Sequence, residues 1–358
     1  MSRWPDSRIL DLLGIQLPIV QAPMAGVAFA GMAAAVSRAG GLGSLACAML
    51  TPAQIRSEVA AIREAGPLPL NLNFFCHAMP TAGALDDSAW RARLAGYYRE
   101  FGLAAELPAG GPSRAPFDAD ACALVEELRP SAVSFHFGLP APELLARVKA
   151  SGAVVLASAT TVAEARWLEA RGCDAIIAQG FEAGGHRGMF LSEAVHSQVG
   201  SMALLPRLVD AVSVPVLAAG GIGDGRGIAA AFALGAAAVQ LGSAYLLCPE
   251  ARIAELHRKA LLKSEDDSLI TNVFSGRPAR SIGNRLIREV GPLAAEAPAF
   301  PLAGGAVAPL RSAAEAAGSD GFMSLWAGQA VSLARALPAF ELTRQLADEA
   351  LARLGVSS

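Results

Sequence analysis

Short apolar runs recur along this chain, and stretches with helical spacing separate them. Such runs, rich in β-branched residues, read as strands buried on both faces. Pro18-Ile19-Val20-Gln21-Ala22-Pro23-Met24 is the first, and it ends in a turn at Ala25-Gly26. Residues 31–39 read as a helix that Gly40-Gly41 ends as a C-terminal cap would. The second strand covers 42–46. Thr51 then N-caps a helix running to about residue 65, with Pro52 at its first position. Leu70-Asn71-Leu72-Asn73-Phe74-Phe75 makes the third strand.

The least regular part spans 77–121; within it 91–101 has helical spacing and 108–116 is a Gly/Pro-rich loop. The rhythm then resumes. Strands over 132–137, 154–158 and 175–179 alternate with helices over 140–150 and 162–171. Helices over 202–210 and 224–234 precede and follow a seventh strand at 215–219, and the eighth lies in 237–241. Eight strands alternating with helices are the order of a parallel (β/α)₈ TIM barrel. A doubly wound sheet ranks second, because it would normally stop near about six strands. After Cys248 the strand rhythm stops: 250–263 is helical, 268–290 is mixed around Gly276-Arg277-Pro278, and 292–309 is rich in Pro, Ala and Gly. The expected division is a barrel of residues 1–248 plus 325–358, with 249–324 as a cap and substrate region over its mouth.

Composition narrows the classes. The 358 residues are 53% hydrophobic and 17% charged, so a large buried core is expected. A net charge of −3 with no basic block argues against nucleic acid or an anionic membrane as partner. The five cysteines lack C-x-x-C or zinc-like spacing and read as buried free thiols in a reducing compartment. Met1-Ser2-Arg3-Trp4-Pro5-Asp6 lacks the apolar core of a signal peptide, so a cytoplasmic location is expected. The uncharged stretch 227–248 has the length of a membrane span, but Gly235, Gln240, Gly242 and Ser243 interrupt it. A helix followed by a buried strand accounts for it better.

Candidate chemistry begins where the sixth strand empties into Gly180-Phe181-Glu182-Ala183-Gly184-Gly185-His186-Arg187-Gly188. A barrel enzyme keeps its chemistry on the loops at the C-terminal ends of its strands. The plain alternative is an ordinary turn carrying a solvated His-Arg pair. The loops after the seventh and eighth strands read Gly220-Gly221-Ile222-Gly223-Asp224-Gly225 and Gln240-Leu241-Gly242-Ser243. Those positions commonly hold a phosphate through backbone N–H groups, and glycine lets the backbone approach it; tight turns alone would also use glycine. Asn73 and Gln179 are amides inside apolar runs. Either core hydrogen bonds satisfy them, or they face a planar heterocycle such as a flavin at the mouth, against which Met24 could pack. Among the five histidines, His77 and His136 lie near strand ends, and His196 and His257 lie in polar segments; structural or solvated roles are expected for these four. His186 is the exception. A neutral imidazole in that turn can take a proton from a carbon acid or hydrogen-bond an anion. No G-x-S-x-G and no metal-ligand spacing is present.

Ala183-Gly184-Gly185-His186-Arg187-Gly188, taken with Ala218-Ala219-Gly220-Gly221-Ile222-Gly223-Asp224-Gly225-Arg226-Gly227, resembles the nitronate monooxygenases, formerly called 2-nitropropane dioxygenases. Supporting stretches are Gln21-Ala22-Pro23-Met24-Ala25-Gly26, Gly40-Gly41-Leu42-Gly43, Val239-Gln240-Leu241-Gly242-Ser243-Ala244, Phe274-Ser275-Gly276-Arg277-Pro278-Ala279-Arg280 and Trp326-Ala327-Gly328-Gln329. The similarity runs from about residue 8 to 335. It implies non-covalent FMN in the barrel mouth, touched by Ala22, Met24, Asn73, Gln179, Gly184, Gly185, Gly220, Gly221, Gln240, Leu241, Gly242 and Ser243. His186 would be the active-site histidine, Arg187 a structural neighbour, and no metal would take part. The implied reaction turns an alkyl nitronate and O₂ into an aldehyde or ketone plus nitrite, in a monomer or homodimer.

Two other readings remain. A flavin-dependent enoyl-acyl carrier protein reductase or quinone reductase of the same architecture would need reduction by NAD(P)H. No G-x-G-x-x-G fingerprint is present, although barrels can bind NAD(P)H without one. A phosphate-ligand binding barrel without turnover would have no need of a titratable group at His186, and an isomerase-type barrel would be colourless.

Overall fold

The eight apolar runs become the staves of one barrel in the computed structural model, which describes residues 4–81, 86–104, 114–265 and 267–356. The staves are β1 (Ile19–Gln21), β2 (Gly43–Ala46), β3 (Leu70–Phe75), β4 (Ala132–His136), β5 (Val154–Ala159), β6 (Ala175–Gln179), β8 (Val216–Ala219) and β9 (Ala238–Leu241). All neighbouring pairs are parallel, in the order β1-β9-β8-β6-β5-β4-β3-β2. The ring closes where Val20 bridges Leu42: the Leu42 amide donates to Ile19 and the Gln21 amide to Leu42, both at 2.9 Å. That closure rules out the doubly wound alternative, whose sheet would stay open.

Period-two alternation sorts each strand into two faces. Val133, Phe135, Val155, Ile176, Ala178, Val216, Val239 and Leu241 face outward and pack with the surrounding helices. Leu156, Ile177 and Leu217 face inward, with the first residues of β4, β6 and β9. The helix Arg8–Leu13, which the sequence reading did not anticipate, lays Ile9 and Leu13 against that inner cluster and so fills the N-terminal end of the barrel. The opposite end is left to polar and small side chains.

Helices expected over 31–39, 51–65, 140–150, 162–171, 202–210 and 224–234 form as Ala30–Arg38, Pro52–Glu64, Pro142–Ala150, Val162–Glu169, Ser201–Val209 and Gly225–Ala233. Thr51 closes a full capping box with Gln54, as the Thr-Pro start suggested. The stretch 227–248 resolves into a helix and β9, and among the described residues no helix is long and apolar enough to cross a membrane. Most of the loop expected at 108–116 lies outside the described residues. In the irregular part 77–121 the helix expected over 91–101 forms as Ser88–Glu100, and helix Ala119–Leu128, N-capped by Asp118, begins at its end.

A second core sits over the mouth. Trp90, Leu94 and Tyr98 of helix Ser88–Glu100 pack with Val273, Phe274, Leu286, Ala303, Leu310 and Phe322. Trp90 Nε1 also donates to the Ala303 carbonyl at 3.2 Å. The Pro/Ala/Gly-rich stretch 292–309 runs at its end into a helix, Ala303–Ala316. Strands β10 (Ser268–Thr271) and β11 (Ala279–Ile282) form an antiparallel hairpin there, and β11 pairs with β7 (Gly185–His186), a two-residue strand that leaves the barrel after β6. The C-terminal helix Ala339–Arg353 returns to the barrel wall beside Gly225–Ala233. A Cβ at Gly225 would lie 2.3 Å from Glu349 Cβ, so this motif glycine serves helix packing.

Candidate active site

Leaving β6 at Gln179, the chain turns back on itself, and three side chains fix that turn from below. Arg187 is fully buried and donates to the carbonyls of Gly180 at 2.7 Å and Gln179 at 2.9 Å. It also donates to Gln198 Oε1 at 2.9 Å. The alternative of a solvated His-Arg pair is therefore wrong: the guanidinium replaces water as the donor to the turn's own carbonyls. Gln179 spends both ends of its amide on the same turn, donating to the His186 carbonyl at 3.0 Å and accepting from the Gly188 amide at 2.7 Å. His136, at the end of β4, contacts the His186 carbonyl through Nε2 at 3.1 Å and Ser158 Oγ through Nδ1 at 3.0 Å. A carbonyl can only accept, so this network assigns the proton of His136 to Nε2. From above, β11 places Ala279 opposite His186 and Arg280 opposite Gly185. Gly185 has a φ of +71°, a conformation glycine adopts without strain.

The His186 ring is thus held between barrel and cap. Its Nε2 lies 2.9 Å from Ser275 Oγ in the β10–β11 connection, and Phe300 and Trp326 pack at centroid distances of 5.3 and 5.4 Å. Burial lowers its pKa well below 6.5, and the charges of Arg114 and then of His136, Arg277 and His77 add to the effect. The imidazole is neutral at neutral pH. Arg277 lies 4.1 Å above the Phe137 ring and donates to the Met189 carbonyl; Arg114 lies 5.5 Å above Phe300. Two guanidinium groups beside a neutral histidine make this end of the site attractive to an anion.

A cavity of about 420 Å³ occupies the mouth, within the usual size of a cofactor pocket. Ala22, Met24, Asn73, Gln179, Gly184, Gly185, His186, Gly220, Gly221, Gln240, Gly242 and Ser243 all line it. Leu241 does not: it follows the inward-facing Gln240, so strand alternation turns its side chain into the outer core. Asn73 is held by β4, donating to the Ser134 carbonyl at 3.1 Å and its hydroxyl at 2.9 Å. Gln240 Oε1 is buried and has no hydrogen-bond partner among the described residues. Gly220 and Gly221 have φ of +101° and +74°, and their amides, like that of Gly242, donate to no protein group among the described residues. The segment Trp326–Gly328 covers this floor so closely that a Cβ on Gly184 would lie 2.5 Å from the Gly328 amide nitrogen.

A model of the nitronate monooxygenase family matches residues 6–349, which is nearly the whole chain. The chain belongs to the nitronate monooxygenase family. It is 44% identical over 346 residues to a protein named nitronate monooxygenase from Paraburkholderia phytofirmans, covering 95% of this chain and 94% of that one. Identity to the nitronate monooxygenase of Pseudomonas aeruginosa is 43% over 354 residues, covering 96% and 98%. Among solved structures, nitroalkane oxidase from Streptomyces ansochromogenes aligns with a TM-score of 0.87 and 42% identity, over 98% of this chain and 99% of that one. These likenesses place the chain among oxidoreductases and favour the monooxygenase reading over the reductase one.

Several cavity residues of this family member escaped the sequence reading. His257 was expected in a solvated or structural segment, yet it lines the cavity and is buried. Its spacing to Leu261, four residues on the inner face of helix Glu255–Lys263, was the available signal. Ser275, within Phe274–Arg280, lies buried behind the cavity wall, where it meets His186. Glu182 also lines the cavity, and its carboxylate accepts from the Ser201 amide at 2.9 Å, capping the next helix from a distance. Among the described residues no group of His, Cys, Asp or Glu could hold a metal ion.

Proposed function

We propose that this chain oxidises alkyl nitronates with O₂ at an FMN held in the barrel mouth, giving an aldehyde or ketone and nitrite. The observation that carries the reading is a neutral, cation-flanked His186 beside a cavity whose floor has unpartnered polar groups. Those groups fit a flavin mononucleotide. Gln240 Oε1 is an acceptor in need of a donor, which an isoalloxazine N–H supplies, and the free amides of Gly220, Gly221 and Gly242 suit a phosphate. On this reading Ala22, Met24, Asn73, Gln179, Gly184, Gly185 and Ser243 complete the contacts, and Leu241 contributes its backbone alone.

Bound there, FMN would supply the electron transfer between nitronate and O₂. The protein's own share is positioning and electrostatics. Arg114, which lines the cavity, stabilises the anionic nitro end of the substrate, with Arg277 adding positive potential near His186 from outside the lining; Phe75 and Trp326 exclude water from the cavity, backed by Phe300 packed on Phe75 and His186. His186 hydrogen-bonds the substrate and can hold a proton taken from it. We place the reaction in the cytoplasm, in keeping with five free cysteines, in a monomer or homodimer. Residues 249–324 together with helix Ser88–Glu100 act as the cap that shapes the substrate pocket.

The test is a purified protein showing an FMN spectrum, rapid O₂ uptake with propionate 3-nitronate, and nitrite release. Flavin bleaching within seconds by NADH or NADPH without oxygen, together with negligible nitronate turnover, would replace this reading by the reductase one.

A further inference from the structure

Among the described residues, only two that line the cavity carry a buried side-chain atom without a hydrogen-bond partner: Gln240, at Oε1, and His257, at Nε2. His257 lies on helix Glu255–Lys263 of the cap and is 7% exposed. Since Nε2 is unpartnered, the bond that the ring makes to the Trp326 backbone uses Nδ1. Burial pushes the pKa of His257 down to about 4, and the Trp326 bond works against that fall. A carbonyl accepting from the ring favours its charged form, whereas an amide donating to it would favour the neutral one. Nδ1 therefore carries the hydrogen, and at neutral pH Nε2 is a bare lone pair that can only accept.

Counting donors identifies the partner that this acceptor needs. A simple alkyl nitronate anion, O₂, an aldehyde or ketone, and nitrite all lack O–H and N–H groups. FMN has one ring N–H, which Gln240 Oε1 takes in the proposed site, and the hydroxyls of its ribityl chain. The place of His257 in the fold suits that chain. The segment Trp326-Ala327-Gly328 is tied at one end to His257 through the Trp326 backbone. At the other end the Gly328 amide donates to Ser243 Oγ at 2.8 Å, beside the loop proposed for the phosphate. Two residues span at most about 7 Å, so His257 is joined to that loop by a strip about as long as a ribityl chain. We propose that His257 is a further flavin-binding residue whose Nε2 accepts a ribityl hydroxyl hydrogen, so that the cap selects flavins with a hydroxylated chain. This rests on the proposed function and assigns one more contact to the same site.

The test titrates flavin-free protein with FMN and with an analogue whose ring and phosphate are joined by an unhydroxylated pentyl chain, reading affinity from flavin fluorescence. His257→Asn is the variant, because its side-chain amide can still donate to the Trp326 carbonyl while Nε2 is gone. FMN is expected to bind the variant about tenfold more weakly than wild type, the equivalent of one hydrogen bond, and the analogue to bind both proteins alike. An equal loss for FMN and analogue overturns the proposal, since His257 would then act only through the Trp326 segment. Unchanged FMN affinity overturns it too. A second reading needs no variant. In wild-type protein with ¹⁵N-labelled histidine, the Nε2 resonance of His257, assigned through bonds from the backbone, should move to lower frequency with FMN and stay in place with the analogue. The same movement with both ligands, or none with FMN, again overturns it. A protein that takes up no flavin would fail the proposed function and this contact together, whereas one that oxidises nitronates with His257 indifferent to the chain fails only the contact.

Discussion

Gln179 and Arg187 brace each other across the turn that carries His186: Arg187 Nη2 donates to the Gln179 carbonyl at 2.9 Å, and the Gln179 amide donates to the His186 carbonyl at 3.0 Å. Burial pushes the Arg187 pKa down to about 10, so the cation is kept charged at neutral pH by carbonyl dipoles and more distant carboxylates. Its removal would strand the Gln179 carbonyl and Gln198 Oε1, each costing on the order of 1–3 kcal/mol, and leave the Gly180 carbonyl with the Ala183 amide as its one donor. Arg187→Met is therefore expected to lose at least about 3 kcal/mol in urea unfolding. Arg187→Lys should rescue little, because one ammonium cannot reproduce the planar fork that reaches Gly180, Gln179 and Gln198 together. Near-native stability of either variant would show that the turn holds without the brace.

Gly184 presents a different constraint. A Cβ there would meet the Gly328 nitrogen at 2.5 Å and the Ala327 carbonyl carbon at 2.6 Å, both backbone atoms that cannot rotate away. Gly184→Ala must push Trp326–Gly328 off the cavity floor, taking with it the hydrogen bond from the Gly328 amide to Ser243 Oγ at 2.8 Å. The expected result is a folded protein that retains little flavin on gel filtration. Gly31→Ala, with open space around its Cβ, is the control expected to keep its flavin.

The barrel was legible because its strands are buried on both faces, so each appears as an unbroken apolar run such as Ala175-Ile176-Ile177-Ala178. The His186 turn was legible because glycines mark where backbone conformation or close approach excludes a side chain. What escaped notice depends on distant partners. Ser275 meets His186 across 89 residues of sequence, and β7 is a strand only because β11 pairs with it. Helix Ser88–Glu100 was seen, but its three inward residues, Trp90, Leu94 and Tyr98, belong to the cap core rather than to the barrel in which it was expected. Leu241 shows the converse: alternation along β9 already told its direction, since Gln240 and Leu241 cannot both face inward.

Gln240 Oε1 makes a prediction with opposite signs for the two forms of the protein. An orphaned buried oxygen costs the cofactor-free protein about 1–3 kcal/mol, and a flavin N–H would relieve it. Gln240→Met, of similar volume and without the oxygen, is expected to leave the flavin-free protein as stable or slightly more so. Its flavin affinity should weaken by about tenfold, the equivalent of one lost hydrogen bond. Thermal unfolding without flavin and fluorescence titration with FMN check the two halves separately. A loss of stability in the flavin-free form would mean that the amide already has a partner in solution.

Buried histidines give the fold an acid limit. Burial is the leading cause that lowers His77, His136 and His257 from an ordinary value of 6.5 to about 4, and it holds His186 well below 6.5 as well. Between pH 6.5 and about 4 the unfolded chain holds protons at these positions that the folded chain refuses. Stability is thus fully present above pH 6.5 and falls as the pH drops through this window, by up to about 1.4 kcal/mol per pH unit for each histidine. Carboxylates add their own acid sensitivity, so the test compares wild type with His257→Gln, which keeps a polar group near the Trp326 backbone but cannot take the proton. Urea midpoints from pH 7.5 to 4.5 should fall less steeply in the variant, by the contribution of one histidine. Parallel curves would mean that His257 is as easily protonated in the fold as in the unfolded chain, and that water reaches the cavity wall where the structure buries it.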